Sequence, residues 1–150
     1  MTDRVVGALG GSRDPLQPLG FLRAASAAAE QHVKFERVKT VAELDARLAS
    51  ARQTVLLDFY ADWCVSCKEM ERYTFSDPRV AAQMGRMTLL QVDVTANTDA
   101  DKALLQRFSL FGPPGIVFFD RNGKEIHGQR VVGYLPADKF LKVLDVVNTG

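Results

Sequence analysis

Thr54-Val55-Leu56-Leu57-Asp58-Phe59-Tyr60-Ala61-Asp62-Trp63-Cys64-Val65-Ser66-Cys67-Lys68 is the stretch on which the reading of this chain turns. It opens as a near-continuous apolar run of strand length, the composition of a central parallel strand buried on both faces. Asp58 is the anomaly in that run. The two cysteines follow, and Cys67, Met70, Glu71 and Phe75 then recur at spacings that a helix allows. A Cys-x-x-Cys at the junction of a buried strand and a helix is a redox site on physical grounds. The first turn of a helix carries unpaired N–H groups and the positive end of the helix dipole, and both favour a thiolate at Cys64 over its thiol. Cys64 is therefore expected to be the attacking sulfur. Cys67, one turn on and expected to be the more buried, is placed to attack a mixed disulfide and release the reduced partner.

Working outward, residues 35–38 read as a short strand, and Thr40 with Glu43 is a capping-box signature leading into Leu44 and Leu48 at helical spacing. Asp77-Pro78 marks a further helix start with proline at the first helical position. Residues 87–94 read as a second buried strand. Ala100, Leu104 and Phe108 then describe one face of a helix capped by Asn97 or Thr98. Gly112-Pro113-Pro114-Gly115 breaks the chain before a strand over residues 116–119. Asn122-Gly123 predicts a two-residue hairpin to a strand over residues 130–132, and Pro136 opens a last helix with Phe140, Leu141, Leu144 and Val147 on its apolar side. The order βαβαβαββα predicts an α/β fold: a mixed central sheet with helices on both faces. Residues 1–34 show little periodicity, and Gly7, Gly10, Gly11, Pro15, Pro18 and Gly20 give them the composition of a connector. They are read as a tail or linker, and residues 35–150 as the domain.

A chain of 150 residues, 47% hydrophobic, suits one core. Its net charge of +1 supplies no broad field that would attract nucleic acid or an anionic membrane. No run approaches the roughly 18 apolar residues of a membrane span, so the chain reads as soluble, with a connector that suits a piece of something longer. The two cysteines lie three apart, and a loop that short stabilises little, so their value is chemical. A structural zinc site needs four ligands, and beyond this pair the sequence offers only His32 and His127. No metal is expected, nor any cofactor other than the redox-active Cys64–Cys67 disulfide. Two inert buried thiols, or a metallochaperone using the pair as soft ligands, are the competing readings.

A carboxyl at Asp58 within an apolar strand is desolvated, so its pKa is expected to rise and it can exchange a proton with Cys67. The alternative is a strand-end carboxylate in water. Glu71, four residues after Cys67 and seven after Cys64, falls on their helix face if the helix is regular, and there it would raise the thiol pKa values. Its competing reading is a solvated surface charge. Lys68 is assigned no proton-transfer role. Trp63 is a candidate docking surface, with Phe111 a weaker one, while Tyr60 reads as core. Pro114, just before a buried strand, is where a cis peptide can be locked, which would present the backbone of residue 113 beside the cysteines; a plain loop proline is the competing reading.

The segment from Asp58 through Trp63-Cys64-Val65-Ser66-Cys67-Lys68 resembles the thioredoxin active site, and Pro114 falls where that family has its cis-proline. Tyr60-Ala61-Asp62-Trp63-Cys64-Val65-Ser66-Cys67-Lys68-Glu69, then Glu71-Arg72-Tyr73-Thr74-Phe75-Ser76-Asp77-Pro78 and Val92-Asp93-Val94-Thr95-Ala96-Asn97, resemble more specifically the C-terminal domain of the DsbD family of transmembrane thiol:disulfide interchange proteins. The likeness runs over residues 35–147. It implies a thioredoxin-like, monomeric domain on the periplasmic side of the bacterial inner membrane. Such a domain takes electrons from the membrane-embedded domain of its parent protein and passes them to the N-terminal domain. From there they reach periplasmic disulfide isomerases and cytochrome c maturation factors. Residues 1–34 would follow the last membrane span. A free thioredoxin serving many substrates is the runner-up. Carried over by position, Cys64 is the nucleophile, Cys67 the resolving cysteine, Asp58 and Glu71 the acidic tuners, and Pro114 the cis-proline. One position departs from the family: the residue before the cis-proline is usually not proline, and Pro113 has no N–H to offer a partner that docks in strand fashion. Weaker, more selective docking is the expectation.

Overall fold

The computed structural model describes residues 33–149. The tail assigned to residues 1–34 lies outside the described residues except for Val33 and Lys34, and Val33 packs, partly buried, against the core.

The elements follow the expected order: β1 (Glu36–Arg37), α1 (Val41–Ser50), β2 (Val55–Tyr60), α2 (Val65–Glu69) running into a π-helical segment (Met70–Phe75), α3 (Pro78–Met84), β3 (Thr88–Asp93), α4 (Asp99–Arg107), β4 (Gly115–Phe119), β5 (Val131–Val132) and α5 (Ala137–Thr149). Among the described residues the strands form one mixed sheet in the order β1-β3-β2-β4-β5. β3 pairs in parallel with β1 and β2, while β4 runs antiparallel to both β2 and β5.

β2 is buried along its whole length, as its apolar composition requires. Its alternate side chains serve two cores. Leu57 and Phe59 pack with Leu44 and Leu48 of α1 and with Leu104 and Phe108 at the end of α4. Leu56 packs on the opposite face with Met70, Phe75, Val80 and Met84, and with Phe140 and Leu144 of α5. Aromatic rings seal each side: Phe59 and Phe119 both meet Phe108 edge-on, at 5.9 and 5.8 Å, and Phe75 lies 5.7 Å from Phe140.

The caps explain where the helices begin. Thr40 Oγ1 accepts the Glu43 N–H at 3.1 Å, whereas the Glu43 carboxylate takes the Lys39 N–H at 2.6 Å, one residue before the N-cap. Of the two candidate caps for α4, Thr98 is the one used. It forms a full reciprocal box with Asp101, while Asn97 turns the chain at φ 53°.

Two expectations need correction. A regular helix does not run on to Phe75. Met70 and Thr74 both hold the backbone of Leu135, the first accepting its N–H at 3.3 Å on Sδ and the second donating Oγ1–H to its carbonyl at 2.6 Å, and the chain widens into π geometry here. The hairpin is also not a simple two-residue one. The Asp120 carboxylate accepts the N–H groups of Asn122 and Lys124, and Gly123 adopts φ +81°. An unbroken ladder from Phe119 opposite Glu125 would set Gly128 against Ile116, yet Val131 stands there; Ile126 still donates its N–H to Phe118 O at 2.8 Å, so residues 127–130 bow out before β5 forms.

Candidate active site

Cys64 and Cys67 are joined as a disulfide, with Cα atoms 5.3 Å apart. A tight turn closes the approach to them, the Cys64 N–H donating to Ala61 O at 3.1 Å. Cys64 then serves as the N-cap of α2 with extended backbone angles, φ −91° and ψ 105°, and its Sγ accepts the Cys67 N–H at 3.1 Å. The sulfur therefore occupies the place of a capping oxygen, where a negative charge is best solvated by backbone N–H groups. Cys67 Sγ lies 3.8 Å from the Phe59 carbonyl oxygen of β2. The expected difference in burial is absent: the two residues are 5% and 4% exposed. Bonded to each other, they share one cover, and what separates them is the neighbour of each sulfur.

Asp58 is buried and accepts a hydrogen bond on Oδ2 from Gln91 Nε2 at 2.9 Å. It is not a carboxylate in water. Burial pushes its pKa up from 3.8 to about 7; the Gln91 hydrogen bond pulls down against this, the Glu71 charge pushes up, and Arg37 pulls down. Glu71 itself is exposed on the π-helical segment. The α-helical spacing that put it on the cysteine face is interrupted after Glu69. Its influence is exerted as charge on Asp58 from the surface.

The Pro113-Pro114 peptide bond is cis. Gly115 pairs with Phe59, so Pro114 stands at the end of β2 from which the cysteine turn departs, and its carbonyl accepts the Gly133 N–H at 3.3 Å. Trp63 and Phe111 are both exposed, Trp63 at 60% even though its Nε1–H donates to Thr95 O at 3.2 Å. The same Thr95 accepts the Asp62 N–H on Oγ1 at 2.9 Å, and this ties the cysteine turn to the end of β3.

Sequence reasoning missed three participants. Lys68 Nζ hydrogen-bonds the Tyr60 hydroxyl and sits 5.0 Å from the ring centroid, and that hydroxyl donates to Asp62 at 2.9 Å. Gln91 and Arg37, neighbours across the sheet, reach Asp58 in series. Only strand register reveals that series. The lysine pairing had a local signal in the aromatic eight residues upstream.

Residues 42–148 match the family described as thioredoxin-like domain. Among solved structures, the oxidised C-terminal domain of DsbD from Neisseria meningitidis shares 36% identity with the chain at a TM-score of 0.59, with 84% of this chain and 95% of that one covered. The chain belongs to the thioredoxin-like family, in its DsbD C-terminal branch. Among DsbD proteins, the one from Ralstonia nicotianae, named a thiol:disulfide interchange protein, is 53% identical over 147 residues, which is 94% of this chain and 24% of that protein. The one from Actinobacillus pleuropneumoniae is 47% identical over 121 residues, 80% of this chain and 21% of that protein. The chain thus spans about a quarter or less of the length of these DsbD relatives.

Proposed function

We propose that this domain is a protein-disulfide reductase working by thiol–disulfide exchange. It relays electrons from a membrane-embedded domain of the same parent protein to that protein's N-terminal domain, on the periplasmic side of the bacterial inner membrane. Periplasmic disulfide isomerases and cytochrome c maturation factors lie downstream. The observation that carries the reading is the Cys64 sulfur at the head of α2, capped by the Cys67 N–H. The length of the DsbD relatives supports a tethered relay over a free thioredoxin. Among the described residues no helix is long and apolar enough to cross a membrane.

In the reduced domain the Cys64 thiolate attacks one sulfur of the partner disulfide. That S–S bond breaks, a mixed disulfide forms, and the partner's other sulfur leaves as a thiolate. Cys67 then gives its proton to Asp58 and attacks the Cys64 sulfur. The second partner sulfur is expelled, and the partner leaves as a dithiol once its thiolates are protonated. Two electrons have passed, and the domain is left with the Cys64–Cys67 disulfide seen in the structure. A carboxyl with a pKa of about 7 takes and returns a proton near neutral pH with little bias either way. A dithiol on the membrane-embedded domain restores the reduced state by the same steps in reverse.

Mixing the reduced domain with the oxidised N-terminal domain of its parent, quenching with acid and counting free thiols on each tests the reading. Two electrons should transfer per encounter; no transfer, with a general protein disulfide reduced instead, would favour the free-thioredoxin reading. Docking beside Pro113 is part of the same proposal. Restoring an N–H there with Pro113→Thr adds one hydrogen bond worth about 1 kcal/mol net, so the dissociation constant for the N-terminal domain should fall about fivefold. Calorimetry with both proteins oxidised measures it, and an unchanged constant would show that residue 113 makes no strand-like contact.

A further inference from the structure

We infer that Arg37 and Gln91 are positioning residues for the exchange reaction: Arg37, anchored by Asp93, fixes which end of the Gln91 amide meets Asp58, and so holds that carboxyl ready to take the Cys67 proton. The inference rests on the exchange mechanism above for its consequence, and on geometry alone for the relay itself.

The three residues form one row across the sheet. Arg37 on β1 is in register with Gln91 on β3, and Gln91 with Asp58 on β2. Residues in register share a face, so their side chains line up side by side. Arg37 Nη1 binds Asp93 Oδ2 at 3.0 Å, its Nε donates to Gln91 Oε1 at 2.7 Å, and Gln91 Nε2 donates to Asp58 Oδ2 at 2.9 Å. An amide can be turned over with little change in shape, which exchanges its donor and acceptor ends. A guanidinium cannot accept a hydrogen bond, so beside Arg37 the Gln91 oxygen must face the arginine and the NH₂ must face the aspartate. An NH₂ facing Asp58 favours the carboxylate. The turned-over amide would offer an oxygen, which favours the protonated acid.

The groups that act on Asp58 are few. Gln91 comes from β3, Arg37 from β1 and Glu71 from the π-helical segment, while β4 places uncharged Ile116 opposite it. Arg37's own charge is the weakest of the influences on Asp58. A large effect of removing Arg37 therefore has to travel through the Gln91 amide.

Carboxyl-carbon NMR of Asp58 in the oxidised domain tests the relay without any partner. Arg37→Met should raise the Asp58 midpoint by about one pH unit, Arg37→Lys, which keeps a donor, should restore most of it, and in a Gln91→Leu background Arg37→Met should add little. In the reduced domain, a one-unit rise lowers the ionised fraction of Asp58 at pH 7 from about a half to about a tenth, so release from the mixed disulfide should slow about fivefold at pH 7 and hardly at all at pH 9. A midpoint unmoved by Arg37→Met, or moved as far without Gln91 as with it, overturns the relay. A moved midpoint with no change in release at either pH keeps the relay and refutes Asp58 as the proton acceptor of the mechanism instead.

Discussion

Cys64→Ser leaves the domain unable to reduce any disulfide, with activity at the background of the assay, while Cys67→Ala still attacks and then stalls as a stable mixed disulfide. The difference follows from where each sulfur sits. Cys64 heads α2 and receives a backbone N–H, so the thiolate forms there, and a serine hydroxyl at the same place stays protonated near neutral pH. Cys67 is as buried as Cys64, but its Sγ lies against the Phe59 carbonyl oxygen, a neighbour that favours the thiol over the thiolate and leaves it to attack a sulfur already delivered to Cys64. Intact-mass analysis of Cys67→Ala mixed with oxidised partner should show a one-to-one adduct that a reductant splits. Recovery of the adduct on Cys67 of the Cys64→Ser variant instead would reverse the two roles.

Asp58→Asn is expected to stabilise the domain strongly at pH 8 and hardly at all at pH 4. The folded carboxyl has a pKa of about 7 against an ordinary 3.8. Below pH 3.8 it is protonated in the folded and the unfolded chain alike and costs nothing. Between 3.8 and about 7 the unfolded chain gives up the proton while the folded one retains it, so stability drains away as pH rises, and above 7 the loss is complete. The whole loss is on the order of 4 kcal/mol. Asparagine does not ionise and escapes it. Urea unfolding of the oxidised domain at pH 4, 6 and 8 measures the effect, and a wild-type-to-variant gap that is the same at all three pH values would contradict the burial on which the proton-transfer role depends. Retention of so costly a group is consistent with a chemical use for it.

The features legible in the sequence were those set by neighbours along the chain. The apolar run of β2, the Cys-x-x-Cys at its end, a cap for α4 at Asn97 or Thr98 and the cis peptide before Gly115 all follow from a few adjacent residues. The departures come from contacts that close across the fold. Met70 and Thr74 hold the Leu135 backbone from more than sixty residues away, where no helical periodicity could show that an α-helix would widen. The turn at Asn122-Gly123 is the local exception: the Asp120 carboxylate, two residues upstream, reshapes a turn that the Asn-Gly pair alone would make tight. Gln91 read as one polar residue in a buried strand, and only the register of β1, β3 and β2 showed that it stands between Arg37 and Asp58. Glu71 was placed by a spacing that the π-helical segment breaks, though its charge still reaches Asp58.

Equilibrating the domain with graded ratios of reduced to oxidised dithiothreitol, then trapping free thiols with an alkylating reagent, puts the central claim to its most direct test. One reversible transition toward the reducing end of the scale is expected, with the slope of a two-electron couple and both cysteines changing state together. A pair that will not re-oxidise, or that holds copper or zinc stoichiometrically through the titration, would mean that Cys64 and Cys67 bind rather than exchange.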